Sequence, residues 1–311
     1  MPLFITELKE IRLPRKENKL SVFTIKYYGL AGCAPNAGAQ VTGLRRLRPA
    51  AGVTLAAFAL AVGLSAPATA LAGAWTQPKG KGQVILKFED MSAERAFDPD
   101  GARRDLPSTR RERFATVFAE YGLSERLTLQ LKGDWQDGED AFVDYAGRGP
   151  VEIGVTWQAW RDDRNALSLY GGYASGGDGR NAGYAAPGLG DRDWEVRASA
   201  GRSFGGQADG RRRGPERSFV EVQVARRMRD GLPDETRADV TLGSHFGPDW
   251  MVLGQAFGGA ADGDGPRWLS VETSVVRHIG AWAVQAGWRQ TVSGRETPLS
   301  QGVVVGIWRR F

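Results

Sequence analysis

From Gln83 to Phe311 apolar and polar side chains alternate in runs of about ten residues, separated by breaks rich in Gly and Asp. In 126–136, Leu127, Leu129, Leu131 and Trp135 share one parity, while Thr128, Gln130, Lys132 and Asp134 take the other. Ile153, Val155 and Trp157 alternate in the same way with Glu152, Thr156 and Gln158. The pattern recurs in 194–200, 220–224, 237–242 and 269–275. Successive strand side chains point to opposite faces, so a period of two predicts amphipathic strands and an all-β chain. Twelve strands are expected, at 83–93, 110–121, 126–136, 151–160, 166–175, 192–204, 217–228, 236–245, 250–258, 268–277, 281–291 and 301–311. Most have about the 9–11 residues that a tilted strand needs to cross a bilayer.

The connections alternate too. Short turns are expected at 122–125, 161–165, 246–249 and around Gly280, and longer loops at 94–109, 137–150, 176–191, 259–267 and 292–300. The segments 205–216 and 229–235 break that order, the first too long and the second too modest. Short turns at one end and long loops at the other suit a transmembrane up-and-down β-barrel. The alternation alone also fits a soluble β-sandwich. Three features favour the barrel, with its apolar face outward. The polar faces carry charge on nearly every strand. All 10 Trp lie beyond residue 72, and Trp135, Trp157, Trp194, Trp250, Trp268, Trp282 and Trp308 fall near strand ends, where an interfacial girdle belongs. The last strand sets Val303, Val305 and Ile307 on one face and ends on Phe311.

The first 72 residues follow another logic. Arg45, Arg46 and Arg48 precede an uncharged apolar stretch, 52–64, which is shorter than the ~20 residues of a membrane-spanning helix. Ala70-Leu71-Ala72 then offers the small-x-small site of signal peptidase. The expected organisation is an extension at 1–40, a signal peptide at 41–72 and a barrel at 73–311. Cleavage after Ala70 and retention as an anchor helix are the alternatives. Residues 1–40 do not suit a signal peptide and are expected to lie upstream of the true start, near Val41. This division changes the meaning of the +5 formal charge. Residues 1–72 carry 9 Lys and Arg against 3 Asp and Glu, whereas 73–311 carry 32 against 33. The basic surplus belongs to the leader, which removes the case for a nucleic-acid partner. The single cysteine, Cys33, lies there as well, so the processed chain would have no thiol for disulfide, nucleophile or metal.

Catalytic chemistry finds little support. His245 and His278 are the two histidines, both expected at strand ends or turns. Ser244 adjoins His245, but neighbours on a strand face opposite ways and cannot act as a nucleophile–base pair. The carboxylate pairs Asp162-Asp163, Glu139-Asp140 and Asp262-x-Asp264 lack the spacing of a calcium loop. GLGD (188–191) has no strand–loop–helix unit around it, and Arg211–Arg213 reads as a solvated turn. No catalytic, metal or cofactor site is expected. The charged strand faces are more informative. With the apolar faces outward, Lys87, Lys132, Arg197, Arg227, Arg237 and Arg289 are expected inside. So are Glu89, Glu112, Glu120, Asp134, Glu152, Glu195, Glu221, Asp239 and Glu272. A twelve-strand barrel is wider than the eight-strand kind that side chains fill and narrower than a 16-strand porin.

In its signal-peptide pattern, strand count and last strand, VVVGIWRRF, the chain resembles bacterial outer-membrane β-barrel proteins. The resemblance implies that Val303, Val305, Ile307 and Phe311 form the signal read by the barrel-assembly machinery, with Arg309 standing where an apolar residue is usual. It also implies export through the periplasm into the bacterial outer membrane, among bilayer lipids and lipopolysaccharide. YGLSERLTL (121–129) and GRGPVEIGVTW (147–157) are similar to the MetA-pathway phenol-degradation group of outer-membrane barrels. The expected function is a porin-like passive channel for small polar or aromatic solutes. An occluded structural or surface-interaction barrel and a lipid-modifying enzyme are the alternatives. Deleting Phe311 is expected to abolish most membrane assembly, read as loss of the heat-modifiable folded band in outer-membrane fractions.

Overall fold

A strand with one apolar and one polar face has to find a different medium for each. The computed structural model describes residues 73–141, 144–176, 192–205 and 217–311. The expected extension and signal peptide, GLGD and Arg211–Arg213 lie outside the described residues. The strands are β1 (Gly82–Phe97), β2 (Arg103–Ser124), β3 (Leu127–Glu139), β4 (Asp144–Arg161), β5 (Asn165–Ser175), β6 (Arg192–Phe204) and β7 (Arg217–Arg229). They continue with β8 (Glu235–Phe246), β9 (Trp250–Ala261), β10 (Arg267–Ile279), β11 (Trp282–Arg295), the two-residue β12 (Thr297–Pro298) and β13 (Gln301–Arg310). β1 to β11 each pair antiparallel with the next, and β13 pairs with both β11 and β1. The result is a closed twelve-strand barrel with no free edge, to which β12 adds two residue pairs along the end of β1. At the seam β1 and β13 are in continuous register from Gln83↔Arg310 to Ser92↔Gln301. Phe311 extends that seam, exchanging backbone hydrogen bonds with Gly82 (2.9 and 3.0 Å) and stacking its ring on Tyr121 of β2 at 6.5 Å.

The barrel is apolar outside and polar inside. Leu242 and Val196 are each 54% exposed in mid-strand, whereas Glu221 and Glu272 are 1% and 2% exposed. A soluble sandwich buries its apolar faces between two sheets, so this distribution excludes it. Along β3 the apolar outer face runs from Leu127 to Trp135, a rise of roughly 20 Å for a strand tilted by about 40°. Past that band the outer face becomes charged. Asp90, Arg113 and Asp137 are register partners on β1, β2 and β3, with Arg113 3.7 Å from Asp90 and 3.6 Å from Asp137. Trp135 and Trp194 mark one rim of the band, and Trp157, Trp250 and Trp282 the other, all exposed.

Two sequence expectations are corrected. Trp268 and Trp308 belong to the inner wall, because both lie on the even-numbered faces of β10 and β13, opposite Leu269 and Ile307. Gly259 on β9 leaves the space that the Trp268 ring occupies, and Trp308 is 7% exposed, with its indole N–H donated to Gln285 (3.2 Å). Much of the expected loops 94–109 and 137–150 is strand. Beyond the apolar band both faces are wet, so the alternation disappears although the hydrogen-bonded ladder continues. Arg309 faces outward at the interface, with its guanidinium 5.0 Å from the Trp282 ring centre, a cation–π seat that explains a charge in an otherwise apolar row. At the end holding Gly82 and Phe311 the β2–β3, β4–β5, β8–β9 and β10–β11 connections are short, and Gly247 and Gly280 adopt φ of +64° and +60° in the last two of these tight reversals. The β6–β7 connection at the same end is instead the long segment 205–216, most of which lies outside the described residues. Replacing Ile153, mid-band and 50% exposed, with Arg is expected to cost about 2–4 kcal/mol. Urea unfolding in lipid vesicles reads it.

Candidate functional site in the lumen

Bulky rings line the lumen because glycines on neighbouring strands make room for them. The Tyr170 ring lies over Gly154 and Gly172, where a Cβ would collide with it, and Phe219 lies likewise over Gly243, Tyr145 over Gly138 and Trp75 over Gly201. Rings flattened against the wall leave space at the centre for longer charged side chains. Part of the chain's 42 Gly therefore shapes its interior.

Two ion networks occupy the middle of the barrel. In the first, Arg227 on β7 donates to Glu195 on β6 (Nε, 2.8 Å) and reaches Glu152 on β4 (2.7 Å), past β5 and β6. Arg197 also binds Glu195 (Nε, 2.9 Å) and stands 4.6 Å from the Tyr170 ring centre, whose hydroxyl donates to Glu152 (2.8 Å). In the second, Arg289 on β11 donates to Glu272 on β10 (2.6 and 2.9 Å) and to Glu89 on β1 (2.9 Å). Lys87 joins the same two carboxylates at 3.4 and 3.1 Å. This span crosses β13, whose inner face there is Gly302, Val304 and Gly306, a stretch low enough for β1 side chains to pass over. Between the networks Lys132 is exposed to solvent inside the barrel and has no ion-pair partner within 4 Å among the described residues. Asp134, Arg237 and Asp239 are half-buried on the same inner wall, with Arg237 paired to Glu235 and 6.0 Å from the Trp268 ring centre. The lumen therefore holds accessible charge of both signs at mid-depth.

Towards the end where the turns are short, the lumen narrows. Residues 73–79 run inside the barrel before β1 begins. The Thr76 hydroxyl is 3.1 Å from Gln158 Oε1, the Gln77 N–H donates to the Thr128 hydroxyl (2.8 Å), and the Ala74 N–H donates to Glu221 (2.9 Å). Glu120 accepts from three amides, those of Gln77 (2.9 Å), Gln83 (2.7 Å) and Gln130 (3.0 Å). Trp75 packs edge-on against Phe219 (6.3 Å), which heads an apolar cluster with Met251, Leu253, Val276, Ala283 and Trp308. His245 and His278 stack on one another in the same region at 6.2 Å, and His278 meets Trp308 at 6.4 Å. Both therefore sit at strand ends, as expected, and what their sequence positions do not reveal is that they face inward and pair with one another. Ser244 has the opposite parity on β8 and is 2.9 Å from Ser218, so it does not complete a nucleophile–base pair with His245.

The charged strand residues expected to point inward do lie on inner faces, at three depths. Glu112 joins Arg110 (3.0 Å) and Tyr145 (3.2 Å) towards the loop end. The two networks and Lys132 hold the middle, and Glu120 and Glu221 bind the entering segment. Gly73–Gln77 is the element that sequence reasoning misses. A five-residue stretch has no period to read, and its polar residues meet partners on three different strands.

A closed barrel with an apolar exterior and an ion-paired, water-accessible interior is a membrane β-barrel of the outer-membrane type. No family model matches the sequence, and no curated protein matches it. Among solved structures, the COG4313 outer membrane channel from Pseudomonas putida F1 is similar with a TM-score of 0.57 and 12% identity, over 78% of this chain and 100% of that one. The KdgM porin gives a TM-score of 0.44 at 8% identity, over 74% of this chain and 99% of that one. The NanC porin gives 0.42 at 10%, over 71% and 98%. At such identities the likeness is one of fold. Replacing Arg227 with Met would leave Glu152 and Glu195 without their shared guanidinium, a loss expected to cost about 3–5 kcal/mol. Thermal unfolding of the detergent-solubilised barrel measures it.

Proposed function

We propose that the protein is a passive, narrow channel of the bacterial outer membrane for small polar or aromatic solutes. The observation that carries this reading is the solvent-exposed Lys132, on the inner wall of a closed barrel and between two ion networks. A charged group that remains wet at mid-depth implies a hydrated passage. Carboxylates and guanidiniums line it together, and such a mixture discriminates weakly between small anions and cations. Aromatic solutes are included because the same wall offers rings beside cations: Arg197 stands over Tyr170, and Arg289 over Phe257 at 4.8 Å. In this reading Val303, Val305, Ile307 and Phe311 guide assembly by the barrel-assembly machinery, and the apolar band meets bilayer lipid with lipopolysaccharide in the outer leaflet. The segment 73–79 and the apolar cluster favour a second reading, an occluded barrel whose loops serve as its working surface.

Planar-bilayer conductance of the folded protein separates the two. Small discrete steps with weak ion preference are expected. Replacing Lys132 with Glu is expected to raise the cation-to-anion permeability ratio several-fold, since it reverses a charge at the accessible point of the lumen. Folded but silent barrels overturn the channel in favour of the occluded form.

A further inference from the structure

The carboxylate of Glu221 is 1% exposed, deep in the lumen on β7. Its hydrogen-bond partners are the Ala74 N–H at 2.9 Å and the side-chain amide of Gln223, and Gly73 packs against it, where a Cβ would stand 3.7 Å from Glu221 Oε1. None of these is a cation, and among the described residues no Lys or Arg forms an ion pair with it. Glu120, beneath the same entering segment, is a carboxylate as well. A buried carboxylate is costly unless a positive charge accompanies it. Elsewhere in this lumen that rule is kept: Glu89, Glu152, Glu195, Glu235 and Glu272 each meet an Arg.

The sequence supplies a cation that the side chains do not. Cleavage after Ala72 would turn the Gly73 amide into an α-ammonium, protonated at neutral pH and placed beside Glu221, one residue before the Ala74 N–H that already binds it. The Gly73 carbonyl is fixed from the other side by the Ser168 hydroxyl (2.7 Å), so the new terminus would be held at two points. We propose that Glu221 is the receptor for the processed N-terminus of this chain, and that a Gly73 ammonium–Glu221 ion pair locks residues 73–77 inside the barrel. Export and maturation thereby complete the lumen, because an uncleaved chain has no charge to offer at that nitrogen.

The test uses full-length protein produced in a Gram-negative host and extracted from its outer membrane. Intact mass is measured first, followed by acetylation with an amine-reactive ester and mass mapping of the first peptide. A chain starting at Gly73 is expected, with its α-amine acetylated roughly tenfold or more slowly in the folded barrel than in the denatured protein, because the segment must open before it reacts. In E221Q, which keeps the shape and loses the charge, that protection is expected to fall most of the way to the denatured rate. A chain starting elsewhere, or an α-amine as reactive folded as denatured, overturns the proposal. So does an E221Q variant that folds and remains fully protected. Should E221Q fail to fold, by heat-modifiable mobility, the wild-type comparison decides alone.

Discussion

The structure depends on one constraint: in lipid, no backbone N–H or C=O can be left to water. The ladder between β1 and β13, carried one residue further by Phe311 and Gly82, removes the last two edges of the sheet. The inversion of the molecule follows from that closure. With hydrogen bonding confined to the wall, each side chain has only two destinations. Apolar side chains go to lipid, and the polar ones go to an interior whose width is set by the number of strands.

The interior is consequently a problem of solvating charge. Eight-strand barrels can fill theirs with side chains, but twelve strands leave room, and the room is shared among three arrangements. At mid-depth, carboxylates and guanidiniums solvate one another and leave Lys132 in water. Near the turn end, Phe219, Met251 and Trp308 form an apolar cluster inside a polar barrel. Beside that cluster, Glu120 and Glu221 are solvated by amides, mainly those of Gln77, Gln83, Gln130 and the entering backbone.

Much of the architecture was legible in the sequence because the strand period is two and each face meets a uniform medium. Leu127, Leu129 and Leu131 mark a strand and its lipid face with no knowledge of the neighbours. Legibility fails where the media stop differing. Beyond Asp90 and Arg113 the strands run on into water on both sides, and the pattern that announced them is gone. Trp268 and Trp308 show a different failure, in which a rule about residue type was allowed to outweigh parity. In the lumen, parity gives the face of each charged side chain but not its partner. That Arg227 reaches Glu152 across two intervening strands follows from barrel curvature and from the low profile of Gly154 and Gly172 beneath Tyr170. A sequence read in one dimension carries neither.

The network of Lys87, Glu89, Glu272 and Arg289 also has a history in time. Its members lie on β1, β10 and β11, so the two halves are made at opposite ends of the chain, and nothing brings them together until β13 lies between β1 and β11. Before that moment the two acids and two bases are unmatched charges on an open sheet. Afterwards they span a strand whose glycines keep out of the way. The network is therefore a record of completed closure: a barrel sealed out of register at β13 would separate the same four charges, and its interior would register the error as well as its wall.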